Sequence, residues 1–406
     1  MAERELTARA APPAAARAAL VVAAIYLGAR AVTTAMLVVA AELSGYGSRM
    51  GPDAELTDTV VAWDGSWYWL IAYSGYPTEL PLTESGQVAE NAWAFLPLYP
   101  HLAQLVSLPF GSWAYGAAIV SLVAGYGASV VLYHLLRPRL DHRAALWAVA
   151  FFAAGPLAAL FHVGYAESLN LLWLFCSLWC VLHRRYGWLY ALIPLMAFTR
   201  PGVLAFSLFL ALFGVWRWAT RSREPLPVAE VVHIVLLGLL AAGAGFAWQF
   251  IAGWITGVPD AYLATELAWR RNWVPGDAAF VPFEPFLAGI AFWFGTMWNL
   301  PVQLGYAALA GAVVLIAAAL LFLPQVRRLG VELRLWSVSY LVYLLLVFFP
   351  QSSVFRLLVP LSPLWGAFAV PRSRLWRASV LVVCLVGQWW WIYNMYALGN
   401  QTWQVP

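Results

Sequence analysis

Apolar residues run along this chain in long blocks, broken by short polar turns and by two long polar stretches. The blocks occupy residues 18–43, 93–109, 113–136, 144–163, 168–182, 188–198, 203–218, 231–255, 286–300, 302–323, 335–349, 357–370 and 378–396. A helix needs about 20 predominantly apolar residues to cross a hydrocarbon core. The pattern therefore predicts an all-α polytopic membrane protein, a single transmembrane domain over 1–406 with about 11–13 transmembrane or re-entrant helices. The 18–43 block follows Arg4, Arg9 and Arg17 and is too long for the apolar core of a cleaved leader, so it reads as an uncleaved first span.

Arginine placement gives these blocks a direction, because short cytoplasmic loops accumulate basic residues. Clusters fall at Arg4/Arg9/Arg17, Arg137/Arg139/Arg143, Arg184/Arg185, Arg217/Arg221/Arg223, Arg327/Arg328/Arg334 and Arg372/Arg374/Arg377. All of these are expected on the cytoplasmic side, with the N-terminus. The polar stretches 44–92 and 257–285 are expected outside, as a first extracytoplasmic loop carrying an interfacial helix and a second long loop. The first has one arginine against seven acids: Asp53, Glu55, Asp58, Asp64, Glu79, Glu84 and Glu90. Ser85 and Gly276 should accordingly be reachable from outside, and Ser222 and Ser373 from the cytoplasm.

That orientation creates a parity problem. Residues 93–136 and 286–323 each hold two apolar blocks but must cross an odd number of times, so one block of each pair should be re-entrant or interfacial. Block 93–109, interrupted by Pro97, Pro100 and Pro109, is the partial one of its pair. About eleven crossings remain, and the outer turns at 164–167, 199–202 and 350–356 gather with the long loops on one face.

Composition narrows the class. The chain is 63% hydrophobic and 10% charged, whereas a soluble domain carries about 25% charged residues, so a separate soluble domain has no room. Every basic residue except histidine is arginine, a usage that suggests a GC-rich bacterial genome and a bacterial plasma membrane. Cys176, Cys180 and Cys384 sit inside apolar blocks and are expected to pack rather than pair. No spacing resembles a zinc or iron site and no glycine-rich nucleotide loop appears, so no cofactor, no metal site and no nucleic-acid partner is expected.

Candidate chemistry lies on the outer face. The run Trp63-Asp64-Gly65-Ser66-Trp67-Tyr68-Trp69 suits a helix at headgroup level, where indole and phenol rings are comfortable. That accounts for the tryptophans but leaves Asp64 unexplained, because a carboxylate in such a segment needs a partner or a task. Glu167 is a second outer carboxylate, placed near the positive dipole end of a helix if the next helix starts at Ser168. His162 reads as a polar packing residue. Arg200, Arg270, Arg271 and Arg356 run against the positive-inside trend, and guanidinium groups there can grip a phosphate bidentately. Lipid headgroups are the simpler partner for Arg270 and Arg271, and a substrate phosphate for Arg200 and Arg356. Arg30, near the middle of the first span, should face the bundle and pair with an acid or a ligand.

In this order, several fragments resemble the PIG-V family, the second mannosyltransferases of glycosylphosphatidylinositol assembly, and their bacterial relatives. They are Trp63-Asp64-Gly65-Ser66-Trp67-Tyr68 with Gly75-Tyr76-Pro77, Phe95-Leu96-Pro97-Leu98-Tyr99-Pro100, Tyr165-Ala166-Glu167-Ser168-Leu169 and Thr199-Arg200-Pro201. Weaker echoes run from Ala261-Tyr262-Leu263 to Trp269-Arg270 and from Ser352-Ser353 to Arg356 and Pro360, with Phe355-Arg356 standing where relatives tend to show Arg-Tyr.

The resemblance implies a GT-C glycosyltransferase bundle that takes mannose from a polyprenyl-phosphate carrier and passes it, with inversion, to a glycolipid, polysaccharide or protein. It implies Asp64 as the catalytic acid of the first outer loop, with Glu167 the rival. Trp63, Trp67, Tyr68, Tyr99, His162 and Tyr165 are then candidates for sugar or acceptor contact. Two alternatives stand beside it: a GT-C enzyme using polyprenyl-phosphate arabinose or glucose, and a lipid-linked sugar transporter or flippase. Transporters often carry internal repeats, and none is seen between the two halves.

Overall fold

The computed structural model describes residues 13–274, 280–399 and 406; Arg4, Arg9 and Gly276 lie outside the described residues. The described residues are mostly helical, and the only β pairing among them is an isolated bridge between Leu82 and Val88. The first third runs α1 (Pro13–Glu42), α2 (Leu56–Val61), α3 (Asp64–Ser74), α4 (Leu98–Ser107), α5 (Trp113–Leu136) and α6 (His142–Ala153). The middle holds α7 (Glu167–Leu182), α8 (Leu189–Ala197), α9 (Val203–Ala219), α10 (Val228–Thr256) and α11 (Ala261–Arg271). The last third has α12 (Glu284–Ala291), α13 (Val302–Phe322), α14 (Pro324–Arg327), α15 (Val331–Val347), α16 (Val354–Leu357), α17 (Trp365–Ala369) and α18 (Arg374–Ile392).

Among the described residues five helices are long and apolar enough to cross a bilayer: Arg17–Glu42, Trp113–Leu136, Val228–Thr256, Val302–Phe322 and Arg374–Leu398. Their outward faces make the environment plain. In α13 only Gly305 and Leu320 are buried, while Val314, Leu315 and Phe322 are exposed. A helix apolar all round and uncovered by protein must be covered by lipid.

Several apolar blocks that read as single spans are broken. Block 144–163 stops as a helix at Ala153, turns through Gly155-Pro156 and resumes as a 3₁₀ turn at Ala158–Phe161. Block 357–370 is divided between α16, a 3₁₀ segment Val359–Leu364 and α17, since Pro360 and Pro363 withhold amide donors. Block 188–198 holds only nine α-helical residues around Pro194, after a 3₁₀ turn Tyr186–Trp188. The proline-rich block 93–109 contains a 3₁₀ turn at Ala92–Ala94 and the ten-residue α4, too short to span at 1.5 Å per residue. In the second pair, α12 runs into a π-helical turn Phe292–Met297, and α13 is the long member.

The bundle has two chemically distinct ends. Helix α7 begins at Glu167 and is followed by Arg184 and Arg185; α9 begins just after Arg200 and carries Arg217 in its last turn. At the arginine-rich end the loops touch one another, with Arg139 on Glu332 at 3.3 Å and Arg372 on Asp141 at 3.8 Å. Ser85, Ser222 and Ser373 are all exposed.

Candidate functional site

At the other end four charged side chains from four distant segments meet. Arg356 Nη1 donates to Asp64 Oδ2 at 2.5 Å, and Arg200 Nη1 donates to Glu167 Oε1 at 2.5 Å. Arg356 Nε lies 3.3 Å from the same Glu167 Oε1 but is not aligned for a hydrogen bond. Glu167 is 3% exposed, and the Arg356 and Arg200 side chains are 11% and 13% exposed. Asp64, at 21%, is the most open of the four. Burial alone would disfavour the charge on Arg356, but Asp64 and Glu167 more than offset it and keep the guanidinium protonated.

Local structure explains why these residues converge. Asp64 and Glu167 are each the first residue of a helix, where free backbone N–H groups favour a carboxylate. Glu167 thus stands at the helix start the sequence suggested, one residue earlier than Ser168. Trp63, immediately before Asp64, has φ 57 and ψ −122, a strained conformation costing on the order of 1–3 kcal/mol. It is held there by its indole Nε1, which donates to Met395 O at 2.8 Å, and by Arg49 stacked 4.8 Å over its ring.

The two carboxylate segments are clamped on one atom. Gly164 N donates to Val60 O at 2.9 Å. A Cβ on Gly65 would lie 2.4 Å from Val60 O and one on Gly164 2.6 Å from it, so only glycine allows the close approach. The arginines are set in the same way. Leu98 N donates to Phe198 O at 2.9 Å, tying the proline kink to the Arg200 turn. Tyr340 Oη donates to Leu357 O at 2.7 Å beside Arg356.

Around the quartet some polar atoms are buried but uncommitted. Glu167 Oε2 and Arg356 Nε have no hydrogen-bond partner among the described residues, whereas the Tyr165 and Tyr396 hydroxyls face one another. The Tyr165 ring sits 5.3 Å from the Arg356 guanidinium, and Tyr68 lies within electrostatic reach of all four charges. Such atoms in a native interior call for an account, and a ligand is one.

Other candidates sit elsewhere. Trp63 is 8% exposed with its donor spent, so it positions Asp64 and offers no free face to a sugar. Tyr99 is fully buried and bonded to Ala117 O and Ser121, a packing role. Arg270 is paired with Glu284 at 2.6 Å, and Arg271 with Val88 O; both lie outside the quartet and staple the second loop. His162 binds Arg30 Nη1 at 3.0 Å and Thr34 at 2.9 Å.

Arg30 also corrects an expectation. It faces the bundle, but its partners are the carbonyls of Ala153 and Ala158, His162, and the rings of Tyr26 and Phe161 at 5.0 Å, with no acid. The break after Ala153 leaves carbonyls without helical donors, and the guanidinium caps them.

One residue of the site was not singled out from the sequence. Glu266, in α11, is half-buried and close enough to Arg200 and Asp64 to feel both charges. Burial pushes its carboxyl up to about 7, against a bond to Tyr262 and the Arg200 charge, with Asp64 adding to the rise. An apolar groove of about 640 Å³ between α9 and α10, lined by residues such as Trp218, Ile234 and Gly238, has no titratable group and no contact with these charges.

No protein-family model and no curated protein sequence matches the chain. Among solved structures it is similar to the oligosaccharyltransferase of Archaeoglobus fulgidus in three forms. With zinc and sulfate the identity is 16%, the TM-score 0.39, and the match covers 89% of this chain and 53% of that one. With a tethered acceptor peptide the values are 12%, 0.40, 93% and 55%. In complex with an inhibitory peptide and a dolichol-phosphate they are 14%, 0.37, 93% and 56%. This chain spans about half the length of that enzyme.

Proposed function

We propose that this membrane protein is a glycosyltransferase of the GT-C kind, moving mannose from a polyprenyl-phosphate carrier to a hydroxyl of a glycolipid, polysaccharide or protein outside a bacterial plasma membrane. The observation that carries the reading is the convergence of Asp64, Glu167, Arg200 and Arg356 at the end of the bundle opposite the arginine clusters, with buried polar atoms left open around them.

Asp64 Oδ accepts the proton of the acceptor hydroxyl as its oxygen attacks the sugar's anomeric carbon from the face opposite the phosphate. The new C–O bond forms as the anomeric C–O bond to phosphate breaks, and that electron pair leaves on the carrier phosphate. Arg200 and Arg356 hold the departing charge, so the leaving group needs no proton of its own and one carboxylate suffices. A guanidinium has five N–H donors, and Arg200 spends one on Glu167, leaving donors for phosphate oxygens. A phosphate between the arginines also competes with Asp64 for Arg356 and releases Oδ2 to act as base.

The test is turnover of polyprenyl-phosphate mannose by the purified protein in lipid nanodiscs. Transfer releases sugar-free polyprenyl phosphate in proportion to glycosylated acceptor. Movement of intact donor between leaflets without phosphate release would identify a flippase, and turnover of only an arabinosyl or glucosyl donor would keep the enzyme class and change the sugar.

A further inference from the structure

Helix α11 is tied over the Asp64 helix by its own side chains. Trp269 meets Trp67 edge-on at 5.6 Å and Phe95 at 5.8 Å, and Trp67 and Phe95 stack at 5.7 Å. Asn91 Nδ2 donates to Thr265 Oγ1 at 2.9 Å, and Arg270 is locked on Glu284. Tyr262, Glu266 and Trp269 follow one another at helical spacings of four and three, so they share one face. Glu266 thereby shares the helix face that carries Trp269 and Tyr262 and lies in electrostatic reach of Arg200 and Asp64.

Its chemistry differs from that of Asp64 and Glu167. Both of those are ion-paired, whereas Glu266 forms no ion pair among the described residues and bonds only the Tyr262 hydroxyl. With Glu266 protonated the five charged groups sum to zero; ionised, they sum to −1, which would oppose an incoming phosphate. A carboxyl near neutrality both donates and accepts. Set beside indole and phenyl rings, it matches a sugar, whose C–H face packs on aromatics and whose hydroxyls need a few placed polar groups.

We propose that Glu266, with Tyr262, Trp67 and Trp269, forms the subsite that reads the transferred sugar, its carboxyl bonding two neighbouring sugar hydroxyls. The proposal rests on the glycosyl-transfer reading and names the part of the donor each residue recognises: the arginines take the phosphate and Glu266 takes the sugar.

Binding of two lipids to the protein in nanodiscs separates these roles, namely polyprenyl-phosphate mannose and sugar-free polyprenyl phosphate. Glu266→Ala should weaken the sugar-bearing lipid by about 10-fold or more, as for a lost polar contact worth about 1.4 kcal/mol. The sugar-free lipid should keep its affinity within about twofold. Glu266→Gln, which preserves the shape, should lose less than Glu266→Ala and guards against a folding defect in the alanine variant. Equal effects on both lipids, or none on either, in a folded Glu266→Gln protein would overturn the subsite while leaving glycosyl transfer standing. Failure of the wild-type protein to bind either lipid would overturn the reading beneath it and the subsite together.

Discussion

Two buried arginine–carboxylate networks stand at opposite ends of this bundle, and they are built to different specifications. At the arginine-rich end Arg217 is 1% exposed and makes four hydrogen bonds. It donates from Nε and Nη2 to both oxygens of Glu230 at 2.9 and 3.1 Å, from Nη1 to Glu224 at 2.9 Å and from Nη2 to Pro225 O at 3.0 Å. Tyr186 completes the Glu230 shell at 2.9 Å. The partners Glu224, Pro225 and Glu230 are near neighbours of Arg217 in sequence, across the α9–α10 turn. At the other end Asp64, Glu167, Arg200 and Arg356 are drawn from the length of the chain, and buried atoms of Glu167 and Arg356 are left without hydrogen-bond partners among the described residues. A closed network staples a turn. An open one has capacity for something else.

The difference can be broken from either side. Arg217→Ala strands Glu230, 5% exposed, in the interior, and removing one member of a buried pair costs about 3–5 kcal/mol. The expected outcome is a large fall in thermal unfolding temperature, with donor affinity unchanged in the protein that remains folded. Arg356→Gln should do the reverse, weakening donor lipid by about 1.5–3 kcal/mol, the value of a charge-assisted hydrogen bond, with a smaller loss of stability. Arg200→Gln should behave likewise, and lysine at either position should rescue only partly because the planar fork is lost.

The clamp that assembles the open network gives a further test. Gly164→Ala puts a methyl 2.6 Å from Val60 O and 3.0 Å from the Trp113 ring. Overpacking of that kind costs about 1–3 kcal/mol, and the displacement of Glu167 from Asp64 should reduce transfer more than it reduces stability.

The smallest effect concerns pH. The Glu266 carboxyl is raised from 4.5 to about 7 in the fold, so the folded state holds its proton more tightly than the unfolded one. Its contribution to stability is whole below about pH 4.5 and is lost as pH rises through about 7. The groups facing it are Tyr262, Asp64 from α3, Arg200 from the turn before α9 and Tyr343 from α15. Unfolding temperatures measured between pH 5 and 8 should therefore show Glu266→Gln gaining on the wild type as pH rises.

Much of the open network was legible in the sequence and much of its setting was not. Asp64, Glu167, Arg200 and Arg356 stood out because charge at an apolar boundary demands a reason, and the structure brings them together. The proline-broken 93–109 segment gave its short α4 away through Pro97 and Pro100. Gly155-Pro156 and the Pro360/Pro363 pair carried the same signal in the segments 144–163 and 357–370, where hydropathy masked it. Glu266 was not legible because one acid among several in a polar loop looks like any solvated charge until Trp269 is seen on Trp67. The partners of Arg30 were hidden for another reason, being backbone carbonyls freed by a helix break, and a carbonyl has no letter in the sequence.

The most direct test of the open network as a reaction site is transfer by Asp64→Asn, measured beside Glu167→Gln in the same nanodiscs with donor binding and unfolding temperature recorded for each. Asparagine keeps the shape of the side chain and removes its basicity. Asp64→Asn should lose transfer by about 10²–10⁴-fold, the usual worth of a general base, while remaining folded and still binding polyprenyl-phosphate mannose. Near-normal turnover by Asp64→Asn together with a dead but folded Glu167→Gln would contradict the assignment and make Glu167 the base.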